Sequence, residues 1–437
     1  MVKSETPEIL VGSGRTLMLD TTLPIAPPQR PLLQVSSPPT HIVSCHFKSQ
    51  SSFYRIPLAI KLRGMFEWLC RVLYTLRNRK RNFTMRHKFV SFVALFVSLA
   101  LSTSLALGQD PDLNFLNHNQ PILDAHNCYP YEGQWNDRIQ RALNSGFPVS
   151  IEQDLAWYVD PATGKGRAVV SHTPHPTGKE PTLEDYFFKQ VSPVVEKAIA
   201  ENKRSQWPLI VLHFDFKDNQ TALLQAVWHV LGKHEAWLST AVKTNDPNKQ
   251  SPIDRKPILV VTEEADEQQK VFYDDLPVGA RLRLFGSAHT HPTPKGMTKE
   301  QVMHWAVTVR PEELLHEKPT NYRRWWNSSW YAVEEGGEPR AGDWTAADNK
   351  RLHSLVDHAH AMGYWVRFYA LDGFAPAEDQ GWGSSYNFGS REAVTLRWKA
   401  AIAAGVNFIA TNQYEALATY LKQDAKDLRP SSSAPAK

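Results

Sequence analysis

The sequence predicts an α/β fold, a (β/α)₈ barrel of one domain, from three observations. Eight short apolar runs rich in β-branched residues follow one another, and helix-like stretches separate several of them. No glycine-rich phosphate loop follows the first run, which argues against the alternative of an open, doubly wound sheet. Glycines stand where a helix should end before the next strand, at Gly146, Gly232, Gly363 and Gly405.

The predicted elements alternate regularly along the chain. The strands are Pro121–Ala125, Val149–Asp154, Ala168–His172, Leu209–Phe216, Ile258–Thr262, Leu282–Gly286, Trp365–Leu371 and Val406–Ala410. The helix-like segments are Trp135–Ser145, Leu183–Glu201, Ala222–Leu231, Thr345–Met362 and Arg391–Ala404. Eight strands that alternate with helices close naturally into a barrel, the TIM-barrel architecture.

Residues 310–345 depart from this pattern. They carry four tryptophans and little periodicity, so we predict a Trp-rich insertion that lies over one face of the barrel. Its aromatic side chains either shape a binding site or pack the loop down. Within it, Asn327-Ser328-Ser329 matches a glycosylation acceptor, which is weak evidence by itself.

The charge differs in sign between two parts of the chain. The whole sequence has 49 Lys and Arg and 45 Asp and Glu, of which residues 1–108 hold 14 and four. The remaining 329 residues therefore hold 35 basic and 41 acidic residues. This acidic body has no basic stripe interleaved with aromatic residues, so nucleic-acid binding is excluded as a function class.

The stretch 85–108 has the layout of a secretory signal peptide. Arg86, His87 and Lys88 precede an apolar run of 13 residues, Phe89–Leu101, and a small-residue exit lies before Gln109. We interpret residues 1–84, rich in Pro and Ser, as an over-extended reading frame ahead of a true start at Met85. The alternative is a cytoplasmic extension before a membrane anchor. A cleaved signal places the protein outside the cell or in the periplasm.

The predicted globular domain spans residues 109–425, and residues 426–437 are predicted to be a disordered tail. Of the three cysteines, Cys45 and Cys70 precede this domain, which leaves Cys128. One thiol forms no internal disulfide, and no CxxC-type zinc spacing occurs in the sequence.

Polar side chains gather at the predicted carboxyl ends of the first four strands. Glu152 and Asp154 are two residues apart on one strand, so both point to the same face. With Asn127 and Asp215 they form an oxygen-rich group that suits one hard divalent cation, Ca²⁺ or Mg²⁺. His126 and His172 end neighbouring odd strands and flank this group as a general acid and a general base.

Further side chains are predicted to contact a substrate or support the site. Lys217 points the same way as Asp215 and can neutralise a phosphate oxygen. Arg367 and Tyr369 are predicted to bind substrate, and His213 to support the site from behind.

The series His126-Asn127, Glu152-x-Asp154, His172 and Asp215-x-Lys217 resembles the active site of the phospholipase-C-like phosphodiesterases. That superfamily includes phosphatidylinositol-specific phospholipase C and glycerophosphodiester phosphodiesterase. Residues 405–412 also resemble the last barrel strand of the glycerophosphodiesterases, so the likeness covers roughly residues 120–420.

The resemblance implies a metal-dependent phosphoric diester hydrolase of lipid metabolism with a TIM barrel. His126 and His172 would be the catalytic pair, and Asn127, Glu152, Asp154 and Asp215 would hold Ca²⁺ or Mg²⁺. A substrate hydroxyl next to the phosphate would attack phosphorus and give a cyclic phosphodiester. The chain differs from the family where Asp215 replaces a usual Glu and Asn412 a usual Asp.

Two other functions stay open on the sequence. One is a secreted, non-catalytic barrel that binds a phosphorylated ligand or glycan through the Trp-rich loop. The other is a zinc hydrolase of the amidohydrolase type that uses His289 and His291. The expected partner is a small-molecule or lipid phosphodiester, with no nucleic acid. Because no amphipathic surface helix stands out, membrane contact is expected to be transient at most.

Overall fold

The computed structural model describes residue 116 and residues 121–130, 136–335, 341–378 and 387–427, with side chains up to residue 423. The predicted extension 1–84, the signal peptide 85–108 and residues 428–437 of the predicted tail lie outside this part of the chain. Within it, no helix is long and apolar enough to cross a membrane.

Eight parallel strands close into a barrel, as predicted. In chain order the strands of the described residues are β1 (Ile122–Ala125), β2 (Val149–Val159), β3 (Gly166–Val170), β4 (Ile210–Phe216), β5 (Ala241–Val242), β6 (Ile258–Thr262), β7 (Arg281–Leu282), β8 (Phe285–Ser287), β9 (Arg323–Ser329), β10 (Trp365–Tyr369) and β11 (Phe408–Thr411). The barrel order is β1-β2-β4-β6-β8-β9-β10-β11, and pairing of β1 with both β2 and β11 closes it.

One predicted strand was assigned wrongly, and one strand of the barrel wall was not predicted. The run Ala168–His172 does not supply a barrel strand, because β3 pairs antiparallel with the second half of β2 and forms a hairpin beyond the barrel wall. The missing wall strand is β9, which lies inside the predicted Trp-rich insertion and pairs parallel with β8 and β10. His172 therefore follows a hairpin strand and not the third strand of the barrel.

Both faces of the Trp-rich strand β9 are buried. Trp325 and Trp326 are 1% and 0% exposed. The indole N–H of Trp325 donates to the carbonyl of Thr262 on β6, and that of Trp326 donates to Thr290. Two-sided burial removes the apolar–polar alternation by which a strand is usually predicted.

Helices cover the outside of the barrel, and five of those in the described part of the chain match the predicted segments closely. They are α1 (Arg138–Asn144), α2 (Lys189–Glu201), α3 (Thr221–Lys233), α4 (Asp266–Gln269), α5 (Lys299–Thr308), α6 (Pro311–Leu314), α7 (Ala346–Met362), α8 (Arg391–Ala403) and α9 (Tyr414–Asp427). Thr345 caps α7 through a reciprocal pair with Asp348, and Gly363 ends it in the left-handed conformation. Gly232 does not end a helix, because α3 continues to Lys233.

Candidate active site

Three carboxylates meet where β2 and β4 run side by side. The parallel register places Asp154 beside Asp215, and Glu152 lies two residues before Asp154 on the same face of β2. Each of the three offers an oxygen, and these oxygens lie within 4.8 Å of one another. The sequence therefore predicted correctly that these side chains meet.

Asp154 is the most deeply buried member of this carboxylate cluster. It is 1% exposed, and its Oδ1 atom has no hydrogen-bond partner among the described residues. Burial raises the pKa of Asp154 well above its ordinary value, and the charges of Asp215 and Glu152 add to this against the effect of Lys217. A buried oxygen without a donor marks a position where a cation would be favourable.

Lys217 supplies positive charge at the edge of the cluster. Its Nζ atom lies 2.8 Å from Asp154 Oδ2 and 2.8 Å from Asp215 Oδ2. Burial works against the shift, but these two carboxylates raise the pKa of Lys217 above its ordinary value. The ammonium is therefore expected to stay charged, and it partly neutralises the two carboxylates.

His126 lies against Glu152, with Nε2 3.6 Å from Glu152 Oε2. Its Nδ1 atom is 3.1 Å from Asn127 Nδ2 and 3.5 Å from Asn412 Nδ2. The backbone N–H of Asn127 donates to Glu152 Oε2 at 2.7 Å, so the cluster also fixes the chain at this corner. Burial, and then Arg367, lower the pKa of His126 well below its ordinary value.

Asn127 was predicted as a fourth metal ligand. Its amide oxygen accepts a hydrogen bond from the Tyr129 hydroxyl at 2.8 Å, and its amide nitrogen faces His126 and Asn412. The backbone of Asn127 is left-handed, with φ 53°, a conformation that Asn tolerates better than most residues. The structure thus places its side chain as a support of the His126 ring, and its role as a ligand stays a prediction.

His172 lies on the other side of the cluster. Its Nε2 atom is 4.0 Å from Asp154 Oδ2, and its ring stacks on Tyr129 with centroids 5.6 Å apart. Half of its side chain is exposed, whereas that of His126 is nearly buried. The two histidines therefore flank the carboxylates as predicted, although His172 comes from the β2–β3 hairpin.

Arg367 crosses the barrel interior under the cluster. Its guanidinium is 2% exposed, forms an ion pair with Asp124 on β1, and donates to Glu152 Oε1 at 3.3 Å and to Asn327 Oδ1 at 2.8 Å. These contacts hold Arg367 inside the barrel wall, and its predicted contact with substrate stays a prediction. Tyr369 lies nearer the mouth, with its ring 6.1 Å from that of His126.

A second group of polar side chains, centred on the buried His213, lies next to Arg367. His213 is fully buried, with Nε2 2.8 Å from Glu263 Oε1 and Nδ1 3.7 Å from Glu152 Oε1. The Asn327 amide donates to both oxygens of Glu263, at 2.9 and 3.0 Å. His213 thus lies behind Glu152, and its role in supporting the site stays a prediction.

Sequence reasoning missed three members of this interior network. Glu263 follows directly after β6, so the rule that strand ends carry functional groups would have found it. Asn327 was read only as a glycosylation acceptor because β9 was not recognised. No feature of the sequence indicated Asp124, because a single acidic residue in a short apolar strand does not by itself predict a functional site.

The alternative zinc site is not assembled. His289 has one ring nitrogen 3.0 Å from Asp266 and the other 3.0 Å from Glu317. His291 instead faces Trp305 and His316. Among the described residues, the one group of His, Cys, Asp or Glu side chains with metal-ligand spacing is Glu152, Asp154 and Asp215.

No known protein family matches the sequence, and no curated protein does. Among solved structures, the chain is similar to a glycerophosphoryl diester phosphodiesterase from Parabacteroides distasonis, with 12% identity, a TM-score of 0.34, and coverage of 73% of this chain and 90% of the other. It is also similar to HPPK-DHPS from Plasmodium falciparum with 9% identity and a TM-score of 0.35, over 71% of this chain and 48% of the other. The function proposed below rests on the site residues and not on these similarities.

Proposed function

We propose that the protein is a metal-dependent phosphoric diester hydrolase acting on a phospholipid or a glycerophosphodiester-like substrate. The observation that carries this proposal is the cluster of Glu152, Asp154 and Asp215, with one buried orphan oxygen and a histidine on either side. The sequence resemblance to the phospholipase-C-like phosphodiesterases supports the same reaction.

The cluster fits a hard divalent cation. Its donors are carboxylate oxygens, which Ca²⁺ and Mg²⁺ prefer, and Asp154 Oδ1 is buried without a donor. Glu152, Asp154 and Asp215 would hold one such ion, which would lower the pKa of the attacking hydroxyl and screen the phosphate. Lys217 then contacts a phosphate oxygen from the rim.

The two histidines suit different halves of the reaction. His126 is held by Asn127 and Asn412 in a buried corner, so we assign it the removal of the proton from the attacking substrate hydroxyl. His172 is half exposed, so we assign it the protonation of the leaving oxygen. Burial lowers the pKa of His172 to about 4, and the negative charge of a bound phosphodiester beside the ring would raise that pKa so that the ring can carry the proton. The bond from phosphorus to the leaving oxygen then breaks as the hydroxyl oxygen bonds to phosphorus.

A panel assay tests the reaction class. The full chain is offered phosphatidylinositol, glycerophosphodiesters, lysophospholipids and a generic phosphodiester, each with Ca²⁺, Mg²⁺ or excess chelator. We expect turnover of at least one substrate that chelator abolishes and added cation restores. Absence of turnover with every phosphodiester, in protein shown to bind the cation through Asp154, would refute the proposal. That outcome would favour the non-catalytic binding barrel.

The leaving group tests the division of labour between the histidines. A p-nitrophenolate leaves without protonation, whereas a glycerol alkoxide needs a general acid. The test compares two phosphodiesters that differ only in the leaving group, glycerol in one and p-nitrophenol in the other. We expect His172→Ala to lose much more activity on the glyceryl ester than on the p-nitrophenyl ester, and His126→Ala to lose activity on both. Equal losses for both variants on both esters would contradict the assignment.

Export through residues 85–108 forms part of the proposal and is tested separately. Amino-terminal sequencing of the natural protein should begin close to Gln109. A peptide from residues 1–84 in that material would refute both the signal peptide and the start at Met85.

A further inference from the structure

A second concave feature lies at the carboxyl end of β11, around the start of α9. It is a cavity of about 300 Å³ lined by three arginines, one carboxylate and two side-chain amides: Arg138, Arg141, Arg391, Glu415, Asn412 and Gln413. None of these residues belongs to the carboxylate cluster, and the proposed reaction gives a role only to Asn412, which holds His126. Asn412 connects the two regions, because its amide also lies 3.5 Å from His126 Nδ1.

Gln413 presents an unsatisfied donor in this cavity wall. Its side chain is 4% exposed, and its Oε1 atom accepts a hydrogen bond from the Gly373 N–H at 2.8 Å. That bond fixes the orientation of the amide, which leaves Nε2 without a partner among the described residues. Because a buried N–H without an acceptor is unfavourable, its presence in a cavity wall points to an acceptor that binds there.

The charge of the lining favours an anionic acceptor. Arg141 and Glu415 neutralise each other through two bonds of 2.6 and 2.9 Å. The guanidinium of Arg391 lies over the Trp398 ring and forms no ion pair within the described part of the chain. The first turn of the 14-residue helix α9 also lines the cavity, and its partial positive charge attracts anions.

We propose that this cavity binds a small oxyanion, a phosphate or carboxylate group, through Gln413 Nε2, the Arg391 guanidinium and the start of α9. The bound group lies beside Arg138, whose Nη1 atom donates to the backbone carbonyl of Asn127 at 2.7 Å and to that of His126 at 3.4 Å. Occupancy of the cavity therefore stabilises the corner of the barrel that carries His126. This site is independent of the proposed hydrolase activity.

The test is a titration of the full chain, free of divalent cations, with inorganic phosphate and in parallel with acetate. Binding is followed by calorimetry and by the midpoint of thermal unfolding. The variants are Arg391→Ala, Gln413→Leu, Asp154→Asn and, as a matched control, Arg204→Ala, an exposed arginine paired with Asp254 elsewhere on the surface. Phosphate and acetate distinguish a site for a multiply charged group from one for a carboxylate.

We expect saturable binding of at least one anion, weakened about tenfold by Arg391→Ala and by Gln413→Leu, the effect of losing one charge-assisted or buried hydrogen bond. Asp154→Asn and Arg204→Ala should leave the affinity unchanged. Tighter binding in Asp154→Asn, with unchanged affinity in Arg391→Ala and Gln413→Leu, would place the anion beside the carboxylate cluster and refute the proposal. Equal affinity in all variants, or no saturation, would refute it as well. Arg391 is exposed, so we expect Arg391→Ala to fold normally. If Gln413→Leu does not fold, the affinity of Arg391→Ala decides the result.

Discussion

The mouth of the barrel has two sides of opposite chemistry. At β2 and β4, three carboxylates meet beside one lysine; at the start of α9, three arginines meet beside one glutamate. Each side also holds a buried polar atom that has no partner among the described residues, the acceptor Asp154 Oδ1 on the first side and the donor Gln413 Nε2 on the second. The kind of unpartnered atom therefore indicates the charge of the ligand that would bind. An unpartnered acceptor favours a cation on the first side, and an unpartnered donor favours an anion on the second.

The two sides also differ in how deeply their charges lie. Glu152 and Asp154 are 3% and 1% exposed, whereas Glu415 and Arg391 reach solvent. Electrostatic effects are larger where water is excluded. Substitutions on the carboxylate side should therefore have the larger effects.

The largest effect is expected from His126→Ala. Loss of a positioned acid–base group lowers turnover by about 10²- to 10⁴-fold, while the carboxylates proposed to bind the cation stay intact. We expect the rise in unfolding temperature on adding Ca²⁺ or Mg²⁺ to persist in this variant. A variant that retains near-normal turnover would contradict the assigned role.

Asp154→Asn should show the reverse pattern. Removing this charge relieves the repulsion from Glu152 and Asp215, so the cation-free protein should unfold at the same or a higher temperature. Stabilisation by a divalent cation should disappear, and activity should fall at least about 100-fold, because the proposed ion would be bound through this carboxylate. Asp254→Asn, at an exposed position, serves as the matched control.

Arg367→Met should lower stability more than any change on the arginine side. It leaves the buried carboxylates of Asp124 and Glu152 without their guanidinium, which costs about 3–5 kcal/mol. Urea unfolding without divalent cations measures this, with Arg204→Ala as a surface control expected to cost at most about 1 kcal/mol. Similar losses in both variants would show that the interior network is not buried as described.

Asn412→Asp addresses the residue that joins the two sides. The Asn412 amide donates to Asp372 Oδ2 at 2.6 Å, so a carboxylate at this position would face another carboxylate. We expect a loss of about 1–3 kcal/mol, the usual penalty for replacing a buried donor. Asn248→Asp, on an exposed loop, should change the unfolding free energy little.

The smallest effect is expected from Glu415→Gln. Its pair with Arg141 is exposed, so the loss of stability should stay within about 1 kcal/mol and shrink further in salt. Without the competing carboxylate, the cavity should bind phosphate more tightly by calorimetry. Weaker phosphate binding would show that Glu415 positions Arg141 for the anion.

The sequence predicted the barrel because seven of its wall strands are apolar runs bounded by helices. The eighth wall strand, β9, was not predicted. Its residues, Arg323–Ser329, include no β-branched residue, and its tryptophans occupy buried positions. The sequence also could not tell the hairpin strand β3 from a wall strand. Both are short apolar runs, and only the register with β2 separates them.

For the site, the spacing of Glu152 and Asp154 on one strand was enough to predict that both face inward. The pairing of Asp154 with Asp215 then follows from the alignment of β2 and β4. The network around Arg367 could not be predicted in this way. Its members come from strands distant in the sequence, and only closure of the barrel brings Asp124, Asn327 and Glu263 together.

The position of Asn327 has a practical consequence for producing the protein. Asn327-Ser328-Ser329 matches the acceptor motif for N-linked glycans, and in the folded barrel the Asn327 amide is held by Glu263 and Arg367. The nascent chain has no such protection. A glycan attached during synthesis in a eukaryotic secretory host would have to enter the barrel interior, so that material should misfold. Bacterial expression avoids the modification, and a secretory host calls for Ser329→Ala, which removes the acceptor while keeping Asn327.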